Sequence, residues 1–312
     1  MTRVACIGEC MIELKQAEGG LFSRGYGGDT LNTAVYLARL GASADYITAL
    51  GDDSLSDEMV AGWASEGVGT KRVMRLPGKL PGIYMIQTDG RGERRFFHWR
   101  ESAAARSLMD LPETADILNS LASYDVVYLS AITLSIYSRD GRAKLIASLM
   151  QAGEQGTRIV FDTNYRARGW PDPDIARAVF HEAFAASDIV LASTEDLLPL
   201  YPDESDERLL ERIRCNEVVL KRLTPAAIVR FEGVSREVRA EPLTMPVVDT
   251  TAAGDSFSAA YVAARLAGAE PVDAARAGHR LAGVVICYPG AIIPRAAMPA
   301  NTLPKPGSSP KA

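Results

Sequence analysis

The stretch Asp249-Thr250-Thr251-Ala252-Ala253-Gly254-Asp255-Ser256-Phe257-Ser258 sets small residues between carboxylates. An apolar helical pattern of Phe257, Tyr261, Val262 and Leu266 follows at once. A small-residue turn that opens a helix leaves its first backbone N–H groups unpaired. With the partial positive charge of the helix start, those groups make an anion site. Asp255 stands where the anion would arrive. It reads either as a helix N-cap, for which Asp is a preferred residue, or as a carboxylate that takes a proton from a hydroxyl attacking a phosphate. Two other polar groups invite the same question. Gly27-Gly28-Asp29-Thr30-Leu31-Asn32 is either a turn with a helix cap or a loop offering ligands close backbone approach and, through Asp29 and Asn32, an acceptor and an amide for sugar hydroxyls. Asp162-Thr163-Asn164-Tyr165-Arg166 is either a polar loop with a surface ion pair or a strand end whose Asp, Asn and Arg meet phosphate or carboxylate.

The elements that position these groups follow a β-α-β-α rhythm. Val4 to Leu14 reads as a strand with Gly8-Glu9 inside it, so Cys6 and Cys10 would share a face. Leu31, Ala34, Val35, Ala38 and Leu40 recur at helical spacing, with Asp29 or Thr30 as cap and Gly41 as stop. A strand at 44–50 and a helix at 55–66 come next. At about residue 70 the rhythm breaks, and runs at 82–87 and 93–100 flank a turn at 88–92, a hairpin signal. From Asp125 strands and helices alternate again, with helices expected at 255–267 and 271–287. Such alternation predicts an α/β fold with a mostly parallel sheet and covering helices. All three polar groups then lie at the C-terminal ends of strands, where open α/β sheets bind ligands.

Composition narrows the partners. The 312 residues carry 34 basic and 39 acidic side chains, a net charge of −5, with 47% hydrophobic and 23% charged residues. That balance argues against nucleic acid or an anionic membrane as a partner. No apolar run approaches a membrane span, the first residues show no cleavable signal pattern, and the chain reads as cytoplasmic. The four cysteines and three histidines have neither disulfide-framework nor metal-site spacing. GxxxxGK[ST], GxGxxG after the first strand, HRD and DFG are all absent, which disfavours P-loop, dinucleotide and protein-kinase chemistry. The chain reads as one domain over 1–300, with a disordered tail at 301–312 rich in Pro, Ser and Lys.

Together the motifs resemble the ribokinase-like (pfkB) carbohydrate kinases. Asp249 to Asp255 is similar to that family's D-T-x-G-A-G-D signature, and Gly27-Gly28-Asp29 with Asn32 to its N-terminal glycine motif. Ile7 to Leu14, Gly27 to Tyr36, Asp249 to Ser258 and Gly290-Ala291-Ile292-Ile293-Pro294 resemble the bacterial 2-keto-3-deoxygluconate kinases of the family. The resemblance implies a doubly wound α/β fold with a small β-sheet lid from about 10–27 and 72–105, and dimers formed through the lids. It implies transfer of the ATP γ-phosphate to a sugar acid, with Mg2+ and a monovalent cation such as K+. By the same carry-over Asp255 is the base, and the backbone of Ala252, Ala253 and Gly254 forms the anion hole. Gly28, Asp29, Asn32, Tyr84, His98, Arg100 and Arg166 hold the sugar acid. Asn164, Lys221, Thr251 and Gly254 serve the nucleotide, and Asp249 with Thr251 the monovalent cation.

Ala252 stands where many members have glycine, and His98 where relatives tend to have tyrosine. Lys221-Arg222-Leu223-Thr224-Pro225 replaces K-x-G-x-x-G, and Ser193 to Asp196 replaces N-x-x-E. Arg100 and Arg166 favour an anionic substrate, since a neutral sugar would leave buried guanidinium charge poorly paired. The alternatives are a kinase of fructose, ribose or ketodeoxygalactonate, or a non-catalytic sugar-acid sensor.

Overall fold

A computed structural model describes residues 2–88 and 94–303 of the chain. Its strands and helices run in the order β1 (Arg3–Ile7), β2 (Met11–Gln16), β3 (Phe22–Gly27), α1 (Asp29–Arg39), β4 (Ser43–Gly51), α2 (Ser54–Ser65), β5 (Val73–Leu76), β6 (Ile83–Thr88), β7 (Arg94–Trp99) and α3 (Thr114–Asn119). Then come β8 (Val126–Ser130), α4 (Ala131–Ile136), α5 (Arg139–Glu154), β9 (Arg158–Asp162), α6 (Pro173–Ala185), β10 (Ile189–Ser193), α7 (Thr194–Leu197) and α8 (Asp206–Arg212). The chain continues through β11 (Glu217–Lys221), β12 (Ala226–Phe231), β13 (Val234–Arg239), α9 (Ala253–Leu266) and α10 (Pro271–Val285).

Nine strands form one sheet in the order β13-β12-β11-β10-β9-β8-β1-β4-β5, parallel from β11 to β5 and antiparallel at β11-β12-β13. A second sheet has the order β3-β2-β6-β7. Both faces of the large sheet are covered, and its strands show why. Side chains alternate faces with period two. Ala5, Ile7, Val127, Leu129, Ile159 and Phe161 therefore enter one core with Leu145, Phe180 and Phe184. Val4, Cys6, Val126, Tyr128 and Val160 enter the other with Val35, Phe257 and Tyr261. Strands buried on both faces read as continuous apolar runs.

Several expectations shift. The strand expected at 4–14 is two strands in different sheets. Gly8 N–H still donates to Ile47 O at 3.2 Å, but Ile12 N–H donates to Gly82 O at 2.8 Å in the second sheet. Cys6 therefore lies in β1 and Cys10 in the link that leads to β2. The stretch 72–105 also divides. β6 and β7 belong to the small sheet, whereas β5 pairs with β4 at the edge of the large one. The hairpin turn residues 89–92 lie outside the described residues, as does 304–312 of the expected tail. Residues 301–303 are packed: Thr302 is buried and its carbonyl accepts from Arg280 at 3.2 Å. Helix α1 is capped by neither Asp29 nor Thr30. Its N-cap is Gly28, and Asp29 is already helical.

Candidate active site

The turn before α9 is left-handed at Ala252, with φ 60° and ψ 17°. That conformation crowds a Cβ and costs an L-residue about 1–2 kcal/mol. It starts the helix abruptly. Ala252 is the N-cap, Ala253 the first helical residue and Asp255 the third, and no side chain caps the end. The capping reading of Asp255 therefore falls. Of the three amides named for the anion hole, Ala253 N–H donates to Thr250 O at 3.2 Å. Those of Ala252 and Gly254 meet no partner among the described residues.

The Asp255 side chain turns toward α1. Asn32 Nδ2 donates to its Oδ2 at 2.8 Å, and Thr33 Oγ1 donates to its backbone carbonyl at 3.3 Å. Burial, followed by the nearby Asp29 carboxylate, raises its pKa from the ordinary range to about 7. Asn32 and Lys221 oppose that rise, and Asp162 adds to it. Asn32 Oδ1 is buried with no partner among the described residues, so one acceptor beside Asp255 is left for a ligand.

Asp29 faces the strand end of β9, where Asn164 Nδ2 donates to its Oδ2 at 2.7 Å. Two of the three expected polar groups thus meet directly, and the third meets them through Asn32. The glycines answer to chain packing. A Cβ on Gly28 would lie 2.3 Å from Glu9 O, and one on Gly27 would lie 2.3 Å from Tyr84 Oη. Their small size lets β2, β6 and the start of α1 close on one another.

One face of the small sheet carries Glu13, Tyr84 and His98 in a row, then Lys15, Ile86 and Phe96. Tyr84 Oη donates to Glu13 Oε2 at 2.5 Å. Burial and then the Glu13 charge push the Tyr84 phenol well up, so Tyr84 acts as a neutral hydrogen-bonding group. His98 stacks on Tyr84 at 6.0 Å, and its Nδ1 is buried with no partner among the described residues. Burial and then Arg100 lower its pKa, which keeps it neutral. This face is tied to the large-sheet side by Lys15 to Asp249 at 3.7 Å and by Arg168 Nη1, which donates to Phe96 O at 3.3 Å.

Both candidate arginines have carboxylate partners, each through one guanidinium nitrogen. Arg100 Nη2 binds Glu9, which is 2% exposed. Glu9 Oε1 and Arg100 Nε remain buried without partners among the described residues. Burial raises the Glu9 pKa although Arg100 opposes the rise. Arg166 is exposed and reaches Asp196 Oδ1 at 3.2 Å. Glu9 and Asp196, absent from the expected site residues, show themselves only through these contacts.

Beyond Asp255, Lys221 Nζ lies 3.3 Å from Asp162 Oδ2 and 3.7 Å from where a Cβ on Gly254 would stand. A positive charge thus borders the α9 start. The loop after it lacks the family glycines and is held by Arg222, whose Nε donates to Asp206 Oδ2 at 2.6 Å and whose N–H donates to Ala226 O at 2.9 Å. The side chains of Asp249 and Thr251, expected to hold a monovalent cation, bond to each other beside the α9 turn. Asp249 Oδ1 accepts from Thr251 N–H and Oγ1, Oδ2 accepts from Gly290 N–H, and the Lys15 ammonium is adjacent. Among the described residues no cluster of three or more His, Cys, Asp and Glu side chains could hold a metal ion, and no helix is long and apolar enough to cross a membrane. An open groove of about 450 Å³ lies by Phe231, Arg236 and Pro271. It is at the opposite ends of the strands and holds none of these groups.

Strand ends, a helix start with unpaired amides and a carboxyl raised toward neutrality, on a doubly wound sheet, are parts that phosphoryl transfer calls for. The pfkB family carbohydrate kinase model matches residues 1–298, and the chain belongs to that family. It is 45% identical over 306 residues to the 2-dehydro-3-deoxygluconokinase of Dickeya dadantii, covering 95% of this chain and 98% of that one. It is 42% identical over 308 residues to the enzyme of the same name from Escherichia coli K12, covering 96% and 99%. The fold matches an ATP-bound fructokinase from Xylella fastidiosa with a TM-score of 0.81, at 21% identity and 95% coverage of each chain.

Proposed function

We propose that the protein phosphorylates 2-keto-3-deoxygluconate from ATP, giving 2-keto-3-deoxy-6-phosphogluconate. The Asp255 carboxyl at the third position of α9, bonded to Asn32 and raised to about 7, carries the reading. A base with a pKa near the working pH combines availability with proton affinity. In this reading Asp255 takes the proton from the attacking hydroxyl. The amides of Ala252 and Gly254 and the Lys221 ammonium meet the transferring phosphoryl, and Ala253 joins them when its turn bond yields. Such preset dipoles stabilise charge as it develops. Asp29, Asn32, Tyr84 and His98 hold the hydroxyl and keto groups, and Arg100 and Arg166 the carboxylate. The names of the close relatives support this sugar acid over fructose or ribose.

Asn164 would hold a Mg2+ bound with the nucleotide, and that ion would supply charge neutralisation at the phosphates. The residues fit, because Asn164 spends its amide N–H on Asp29 and keeps its carbonyl oxygen as an acceptor. The small sheet serves as a lid. Its other face exposes Phe22, Phe97 and Trp99 beside Leu14 and Met85, an apolar patch suited to a lid-to-lid dimer. Light scattering that finds only monomers would reject the dimer.

ADP release measured with ATP and Mg2+ over ketodeoxygluconate, ketodeoxygalactonate, fructose and ribose tests the function. The ketodeoxy sugar acid is expected to lead in kcat/KM. A lead by fructose or ribose, or no turnover at all, overturns it.

A further inference from the structure

We infer that Asp162 is a positioning residue that holds the Lys221 ammonium at the N-terminus of α9, where it receives the nucleotide phosphate; this rests on the kinase reading above. Asp162 ends β9 and is 4% exposed. Its Oδ2 accepts from Ser258 Oγ at 2.7 Å, Tyr128 Oη at 3.1 Å and Lys221 Nζ at 3.3 Å, and its Oδ1 accepts from Asn164 N–H at 3.2 Å. One buried carboxyl therefore joins β8, β11, α9 and the loop after β9. Each of those elements bears on the site. Asn164 binds Asp29, and Ser258 lies one helical turn after Asp255 on the same face of α9.

A buried carboxyl is costly unless charge and hydrogen bonds meet it, so this set of donors needs a reason. Lys221 supplies one. A lysine is a point charge on a flexible four-carbon stem that tends toward water. Here Asp162 turns it inward until Nζ lies 3.7 Å from the Cβ position of Gly254. A charge fixed before the phosphate arrives needs no reorganisation during transfer. Asp162 touches the ligand only through Lys221, and that distinguishes it from the catalytic groups.

The test compares wild type, Asp162→Asn, Lys221→Met and the double variant for ATP binding by calorimetry with Mg2+ and for steady-state kinetics. Asp162→Asn is expected to weaken ATP binding and raise the ATP KM about tenfold, with the sugar-acid KM within about twofold. The double variant is expected to bind ATP no worse than Lys221→Met alone, since residues acting through one another are not additive. Wild-type ATP affinity in Asp162→Asn, or losses that add in full, overturns the inference. Lys221→Arg covers the case in which Asp162→Asn does not fold. It keeps the charge but not its position, so restored wild-type ATP affinity there also overturns it. A wild type that binds ATP but phosphorylates no sugar acid defeats the kinase reading alone, because the binding comparison still reads Asp162. A wild type that binds no ATP defeats both.

Discussion

Asn32 Nδ2 donates to Asp255 Oδ2 at 2.8 Å, joining α1 to the first turn of α9 across 223 residues of sequence. The bond favours the charged form of the Asp255 carboxyl, while burial and the Asp29 charge favour the neutral form. The balance leaves a carboxyl that titrates within the working range, and the following expectations follow from it and its surroundings.

Asp255→Asn removes the proton acceptor and keeps the shape. A lost general base costs about 10²–10⁴-fold, so kcat is expected to fall by that much with the sugar-acid KM within a few-fold. Near-normal turnover would reject the base. The same variant bears on stability. A carboxyl whose folded pKa is raised destabilises the fold as pH rises through the interval from its unfolded value to about 7. Asp255→Asn is therefore expected to gain about 4 kcal/mol over wild type at pH 8, a gain that vanishes near pH 4. Melting curves at the two pH values check this.

The base must be deprotonated, so kcat/KM is expected to rise with pH through about 7 and then level off. Asn32→Ala deletes the bond that favours the charged form, which moves the limb upward by on the order of one unit. A limb that stays put or moves down would show that Asn32 does not tune Asp255.

Ala252 spends a left-handed conformation that glycine adopts freely. Ala252→Gly relieves about 1–2 kcal/mol of crowding and returns part of it to the unfolded chain. A net gain of about 0.5–1 kcal/mol and unchanged kcat are expected from thermal melts and initial rates. A lower melting temperature would contradict the strain.

The two arginines should respond differently. Arg100→Ala leaves Glu9 buried without its ion pair, and because burial already raises the Glu9 pKa, that carboxyl is neutral at low pH and unpaired and charged at high pH. The loss of melting temperature is therefore expected to be larger at pH 8 than at pH 5. Arg166 is exposed, but its partner Asp196 is buried and keeps a bond from Thr163 Oγ1 at 2.9 Å, so removing the arginine leaves a buried carboxylate short of one partner. Arg166→Ala is expected to raise the sugar-acid KM about tenfold with a modest fall in melting temperature. An unchanged KM would reject its carboxylate role.

By itself the sequence determined the alternation of strands and helices, the small-residue turn before α9, and the three polar groups at strand ends. Those signals are local: periodicity, small residues in a turn and helix-start chemistry act within a few residues. Strand membership was less legible where two sheets share one run. The pairing of β1 with β4 and β8 and of β2 with β6 separates the two strands, and those partners are distant in sequence. The tertiary structure alone decided that Asp255 does not cap its helix, that Gly27 and Gly28 admit Tyr84 and Glu9, and that Arg100 and Arg166 are already paired. It also decided that Asp162, read only as part of a polar strand end, anchors Lys221. A residue's type fixes what it can donate or accept. Which partner it meets, and how far burial shifts its charge, is set by distant segments brought within a few ångströms.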